Sequence, residues 1–345
     1  MKSPTQVTPS GNAWKALIIL IIGLAITIVA TVYTKNNTEA RAKSKFALVC
    51  NEIEIKISTR LHAHALILRA GSAFFAASDT VTRKDWREFF EHEKIDKNLP
   101  GIQGVGFSKV ISKNQLQRHI QSIRNEGFPE YTVKPEGERE IYTTIVYLEP
   151  FTGRNLRAFG YDMFSEPVRR TAMEISRDSD IAMLSGKVQL VQETHQDMQP
   201  GALMYVPIYS NGKAENTVEQ RRAAICGWVY SPFRMNDLMH GILGRWDKIQ
   251  TERIHLQVYD DSISASSLLF DSQSNDTLNH NDSPARQLSV PVEFNGKKWM
   301  LYFSQPEEQL FYFDSKVIIV FIGGIVISFL LSGLFLSLIN TKAKA

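Results

Sequence analysis

Glu193, His195 and Asp197 alternate in the run QETHQD. On an extended strand residues two apart share a face, so these side chains would form a carboxylate–imidazole set suited to a divalent cation. No further ligand lies nearby in sequence, and the plainer reading is a polar loop between strands. His62 and His64 in LHAHAL are also two apart, but on a helix they leave by opposite sides and make no metal pair. Asp178 and Asp180 close a helix, where they cap it or stay solvated, and Asp260–Asp261 fits turn chemistry. Asp162 differs from all of these, because FGYDMF surrounds it with apolar and aromatic side chains. A carboxylate there must find donors, since an unpaired buried charge is costly. Either it accepts backbone N–H groups at a helix start, or it recognises donors on a ligand, each such bond contributing about 1.5–3 kcal/mol. The chain carries no G-x-S-x-G, no H-E-x-x-H, no P-loop and no G-x-G-x-x-G after a strand. No catalytic residue, metal or cofactor is therefore expected, and the chain does not read as an enzyme.

The elements that would position Asp162 are legible in the same text. Residues 35–77 hold one glycine and no proline, and Phe46, Cys50, Ile53, Ile57, Leu61, Ala65 and Leu68 recur at three- and four-residue steps. That spacing predicts one long helix of about 60 Å, whose stripe packs on its own domain and, at another height, on the same helix of a second chain. Thr82 with Asp85 predicts a capped helix, Ser112 with Gln115 another, and Ser165 a cap for 166–177 with Pro167 in the first turn. Strands are expected at 101–111, 142–148, 184–192, 202–209 and 223–230, then a short helix at 235–243. Four more strands follow at 254–259, 267–270, 287–294 and 298–303, the last pair joined by Asn295–Gly296, a type I′ hairpin signature. Residues 271–282 read as a loop. The fold class is α+β: a long stalk helix, then two units with antiparallel sheets.

Two uncharged apolar stretches bracket these units, ALIILIIGLAITIVATVY at 16–33 and VIIVFIGGIVISFLLSGLFLSLI at 317–339. As helices they measure about 27 and 35 Å against a hydrocarbon core of about 30 Å. The first is too long for a signal-peptide core and reads as an uncleaved anchor. In the second, Gly323, Gly324, Ser328, Ser332 and Ser337 would let a neighbouring helix come close. The tails carry Lys2, Lys15, Lys342 and Lys344 without acids, as a cytoplasmic side would; Lys35, Arg41, Lys43 and Lys45 argue the other way. Without the tail lysines 35 basic residues face 36 acidic ones, so the excess charge belongs to the tails and no nucleic-acid surface is present. Cys50 and Cys226 read as buried thiols or as one distant disulfide. Only 340–345 follow the second stretch, so no output domain is expected after it.

Taken in order, FFAASDTVTRKDWREFF, GIQGVGFSKVI, YLEPFTGRNLRAFGYDMFSEPVRRTAMEISRDSD, LSGKVQLVQE and LMYVPIYS with RRAAICGWVYSPFRMNDLM resemble the CHASE domain over about 74–243. CHASE domains are extracytoplasmic sensory modules of receptor histidine kinases and nucleotide cyclases, including plant cytokinin receptors. The resemblance implies a stalk helix and two PAS-like units, with ligand held in the membrane-distal one. The expected layout is a tail at 1–15, a span at 16–33, a stalk at 34–73, a distal unit at 74–245, a proximal unit at 246–312, a span at 317–339 and a tail at 340–345. The resemblance carries the pocket aspartate onto Asp162 and an apolar lining position onto Val191. Ser185 and Tyr205 fall where the plant receptors have threonines and Lys187 where they have proline, which implies a pocket reshaped by the tyrosine. The expected protein is a two-pass inner-membrane sensor of a small-molecule ligand, with its central domain outside. Its partners are the lipid bilayer, a second copy through the stalk, and a histidine kinase or cyclase. The alternative is a structural or assembly protein that keeps the fold without a ligand.

Overall fold

The structure is a computed structural model that describes residues 13–95, 101–194, 197–244, 254–273, 284, 286–306 and 315–342. It divides into two units: Met1–Val49 with Asn281–Arg286 and Pro306–Ala345, and Cys50–His280 with Gln287–Gln305. Helix α1 (Ala13–Ala76) contributes to both.

In the larger unit α1 buries Cys50, Ile53, Ile57, Leu61, His64 and Leu68. The three- and four-residue rhythm is as expected except at one turn, where His64 takes the inward position and Ala65 is only half-buried. Each buried aliphatic side chain contributes about 1.5–3 kcal/mol. Helix α2 (Arg83–Glu93) starts at the predicted capping box, with Asp85 N donating to Thr82 Oγ1 (3.2 Å) and Thr82 N to Asp85 Oδ2 (2.9 Å).

Five antiparallel strands follow: β1 (Val105–Ser112), β2 (Ile141–Glu149), β3 (Met183–Leu184), β4 (Gly201–Tyr209) and β5 (Ile225–Arg234), in the order β2-β1-β5-β4-β3. Helix α3 (Leu116–Asn125) follows β1, α4 (Pro167–Ser179) precedes β3, α5 (Val218–Ala224) precedes β5 and α6 (Met235–Leu243) follows it. Three expectations are corrected. Ser112 bonds the Asn114 and Gln115 side chains, not a backbone N–H, so its turn opens without a side-chain cap. Glu166, not Ser165, caps α4, because Ser165 Oγ is already donating to Asp162 O (2.5 Å). The strand expected at 184–192 is only two residues long, the rest being irregular.

A second sheet runs β7-β6-β9-β8, from β6 (His255–Asp260), β7 (Leu268–Asp271), β8 (Arg286–Phe294) and β9 (Lys297–Gln305). Asn295 and Gly296 join β8 to β9 with φ of +48° and +85°, as a type I′ turn requires. Cys50 and Cys226 are free thiols.

In the smaller unit the apolar part of α1 lies against α7 (Ser315–Lys342). Ser332 Oγ donates to Ala16 O (3.0 Å), and a Cβ on Gly324 would run into Thr27. Gly324, Ser328 and Ser332 thus admit this chain's own first helix, whereas Ser337 is exposed and Gly323 has open space beside it. Both helices are long and apolar enough to cross a membrane.

Candidate functional site

Asp162 is fully buried. Its backbone is extended and bridges Thr144 of β2, with its N–H donating to Lys134 O (2.6 Å). Oδ1 accepts from Thr143 N (2.8 Å), Thr143 Oγ1 (3.2 Å) and Phe164 N (3.2 Å). The structural role considered from the sequence is therefore real, but it uses only one oxygen. Oδ2 has no hydrogen-bond partner among the described residues. Arg139 Nη1 stands 3.5 Å from it while donating to Pro135 O and Gly137 O. A buried carboxylate oxygen left in this state favours any donor that can reach it.

Tyr205 lies on β4 opposite Tyr230 of β5, their ring centroids 6.4 Å apart. Tyr230 fits only because residue 106 is glycine: a Cβ there would sit 2.5 Å from its ring. Both hydroxyls are buried without partners among the described residues. Burial pushes both phenols well above their usual pKa, although the nearby Arg169 guanidinium pulls the other way. Arg169 comes from the buried face of α4. It donates through Nη2 to Gln189 O (2.8 Å) and lies 4.9 Å from the centre of the Tyr161 ring. Sequence reasoning missed Arg169 and Tyr230. The available signals were period: Arg169, Ala172, Met173 and Ser176 form one helical face, and Trp228 and Tyr230 one strand face.

Ser185 and Tyr205 both belong to the β3–β4 edge, Tyr205 opposite Met183 and Ser185 beside Leu203, and the Ser185 hydroxyl is committed to structure. It accepts from Leu203 N (2.9 Å) and donates to Gly186 O (2.8 Å). Val191 is half-buried in a turn, while Val188 and Leu190 reach the core. Asp162 stands beside β2, at the opposite edge of the sheet from β3, so the four residues are not one cluster. The second sheet and its hairpin turn grip the chain on both sides of β3. Lys187 N donates to Asp260 Oδ2 (2.9 Å), Lys297 Nζ meets Asp260 Oδ1 (2.5 Å), and Asn295 Nδ2 donates to Ala182 O (2.7 Å).

The carboxylates that might have held a metal are otherwise engaged. Arg234 Nε meets Glu193 Oε1 at 2.6 Å, and its Nη2 and Nη1 meet Asp197 Oδ2 and Asp237 Oδ2, each at 2.6 Å. A guanidinium thus stands where a cation would have to sit; His195 lies outside the described residues. Asp178 is held by Arg222 and Arg177, which keep its carboxyl down at about 2. Asp180 ends α4 and pairs with Arg69 of α1 at 2.8 Å.

The larger unit is thus a long helix with two antiparallel sheets and a buried carboxylate, one of whose oxygens has no hydrogen-bond partner among the described residues. A family model described as the CHASE domain matches residues 79–270, more than half of the chain. The chain belongs to the CHASE domain family, the sensory domains of signalling receptors. The match begins at 79, within the 74–243 read from sequence, and runs past 243 to take in β6 and most of β7. A hybrid signal transduction histidine kinase A of Dictyostelium discoideum is 23% identical over 315 residues, covering 85% of this chain. This chain spans 14% of that protein's length. The periplasmic sensory domain of the Campylobacter jejuni chemoreceptor Tlp1 is similar at 8% identity, with a TM-score of 0.38, over 81% of this chain and 98% of that one. A likeness of that size is too slight to bear on the argument.

Proposed function

We propose that this chain is a two-pass membrane sensor whose central domain lies outside and binds a small molecule within the five-stranded unit. The observation that carries the reading is that Oδ2 of buried Asp162 has no hydrogen-bond partner among the described residues, and the resemblance carries the family's pocket aspartate onto this residue. A ligand donor reaching Oδ2 would gain a charge-assisted bond in a water-poor interior. The bulk of Tyr205 and Tyr230 favours a ligand shaped differently from a cytokinin. Ligand acts by binding one arrangement of the sheet better than another, because only differential affinity shifts an equilibrium. The clasp of Lys187 by Asp260 and of Ala182 by Asn295 offers a route from the β3–β4 edge into the second sheet, which α7 follows in the chain. The message passes to a histidine kinase or nucleotide cyclase, on this polypeptide or on a partner, and a pair of chains joined through α1 fits that role.

The experiment is a small-molecule screen by thermal shift on the full chain in detergent, repeated on Asp162→Asn. Asparagine retains an acceptor for Thr143 and Phe164 but removes the charge at Oδ2. The expected result is a compound that raises the melting temperature of the wild type and at least tenfold less binding by the variant. A compound bound equally by both forms would remove Asp162 from the site. A second reading, a structural protein without ligand, is favoured by the complete burial of the Tyr205 and Tyr230 rings in the core. It predicts that no compound shifts the wild type and that Tyr205→Thr opens a void and destabilises the fold.

A further inference from the structure

The hydroxyls of Tyr205 and Tyr230 have no partner among the described residues, and both side chains are sealed from solvent. A ligand that reaches them has to displace something first. Three elements share their core cluster: the sheet, through Leu203 and Trp228; α4, through Ala172 and Met173; and the irregular stretch after β3, through Val188 and Leu190. The sheet is held by antiparallel ladders and α4 by its own helical bonds. The stretch after β3 has neither. Segments of that kind open at a lower free energy than the elements around them. We infer that residues 186–194 are a strap that lifts to admit ligand to the two tyrosines, with the Glu193–Arg234 ion pair as its latch; the inference rests on the reading of the five-stranded unit as a ligand-binding one.

What holds the strap differs along its length. At its near end Val188 and Gly201 exchange two backbone bonds (2.8 and 2.9 Å), and Lys187 N donates to Asp260. From Gln189 onward the grip of neighbouring elements is by side chains. Arg169 of α4 donates to Gln189 O (2.8 Å) and Arg157 to Gln192 O (3.1 Å), while Glu193 meets Arg234 of β5 and accepts from Gln199 N (3.2 Å). Such bonds part without unmaking a strand or a helix. The Glu193 pair is the strongest of them: its two side chains are 1% and 5% exposed, and its 2.6 Å contact is charge-assisted in a water-poor setting. Parting it still leaves Arg234 with Asp197 and Asp237. The guanidinium is never stranded, and so a buried pair can serve here as a latch, where an uncompensated buried charge would forbid opening. Leu190 lies flat because residue 201 is glycine: a Cβ there would stand 2.5 Å from Leu190 Cγ.

The test follows labelling of thiols by N-ethylmaleimide in the full chain in detergent, read by mass spectrometry in a Cys226→Ser background. Tyr205→Cys places a thiol beneath the strap, and native Cys50, buried on α1 in the same unit, reports loss of the whole fold. Position 205 should be labelled at least about tenfold faster than Cys50. Adding Glu193→Gln should raise the rate at 205 by about tenfold more while Cys50 keeps its rate. Gly201→Ala, which wedges Leu190 away without touching any charge, should act in the same direction. Met173→Cys, on α4 in the same cluster, repeats the measurement where Tyr205→Cys does not fold. Equal rates at 205 and at Cys50, or a Glu193→Gln effect that is absent or shared by both thiols, would overturn the strap. No ligand enters the measurement. A screen that finds no compound therefore removes the ligand reading, while the opening of the strap stands or falls on these rates.

Discussion

At the scale of single residues, the two oxygens of Asp162 differ: Oδ1 accepts from Thr143 and Phe164, and Oδ2, with no hydrogen-bond partner among the described residues, is the one assigned to ligand in the proposal. Removing both by Asp162→Ala leaves Thr143 N without its Oδ1 acceptor, while Phe164 N keeps Thr143 Oγ1, which should cost about 1–3 kcal/mol in a urea denaturation of the full chain. Asp162→Asn should cost much less, and equal losses would show that Oδ2 matters to the fold as much as Oδ1. His64 makes a second residue-level prediction. Its ring stacks on Phe233 at 5.0 Å with both nitrogens buried, and burial, helped by Arg60, lowers its pKa to about 3. Burial, with Lys109, likewise lowers His119, which contacts Tyr131 OH at 3.0 Å, to about 4. Both are neutral in the fold, while the unfolded chain binds protons below about 6.5. Their stabilisation is complete above that pH and is lost as pH falls toward the folded values, each group weakening the fold by up to about 1.4 kcal/mol per unit. The melting temperature should therefore drop between pH 7 and pH 5, and His64→Phe should flatten the drop. An unchanged slope in the variant would contradict the assignment. Asp162 was legible because a lone carboxylate among aromatic residues has to be explained. Arg234 was not, because its partners Glu193 and Asp197 are about forty residues away and nothing local marks them as an arginine's counter-charges.

Elements were read well where their signal is local. The Thr82–Asp85 box and the Asn295–Gly296 turn depend on three or four consecutive residues, and both stand as expected. Thr82→Ala should cost about 1 kcal/mol and fray α2, seen as faster amide exchange at its first turn. Where an element depends on distant groups the sequence misleads. LSGKVQLVQ has the composition of a strand, yet the regular ladder with β4 stops after Leu184, because Ser185 Oγ takes the Leu203 N–H and Lys187 N turns to Asp260 of the second sheet, and contact with β4 resumes only at the Val188–Gly201 bridge. The cap of α4 moved by one residue for a similar reason, Ser165 being held in Asp162's own turn. The clasp has a consequence of its own. Asp260→Ala leaves Lys187 N and Lys297 Nζ without their shared acceptor, so exchange at 185–190 should rise several-fold while α2 stays protected. Unchanged exchange there would mean that the loop is held by β4 alone.

At the scale of the molecule, two features were visible from composition alone: apolar runs at both ends and a nearly neutral middle. Their arrangement as one very long helix and two sheets followed from period. What composition could not give was the pairing of α1 with α7, where Gly324 meets Thr27 and Ser332 meets Ala16, because small residues in membrane helices do not say which neighbour they admit. The central claim is that the two-sheet unit is a receptor head held outside the membrane. The most direct measurement uses Ser262→Cys, in the exposed turn after β6, on a background in which Cys50 and Cys226 are replaced by serine. Intact cells are then treated with a membrane-impermeant maleimide. Labelling of intact cells equal to that of permeabilised ones is the predicted result; labelling only after permeabilisation would place the head inside and contradict the account.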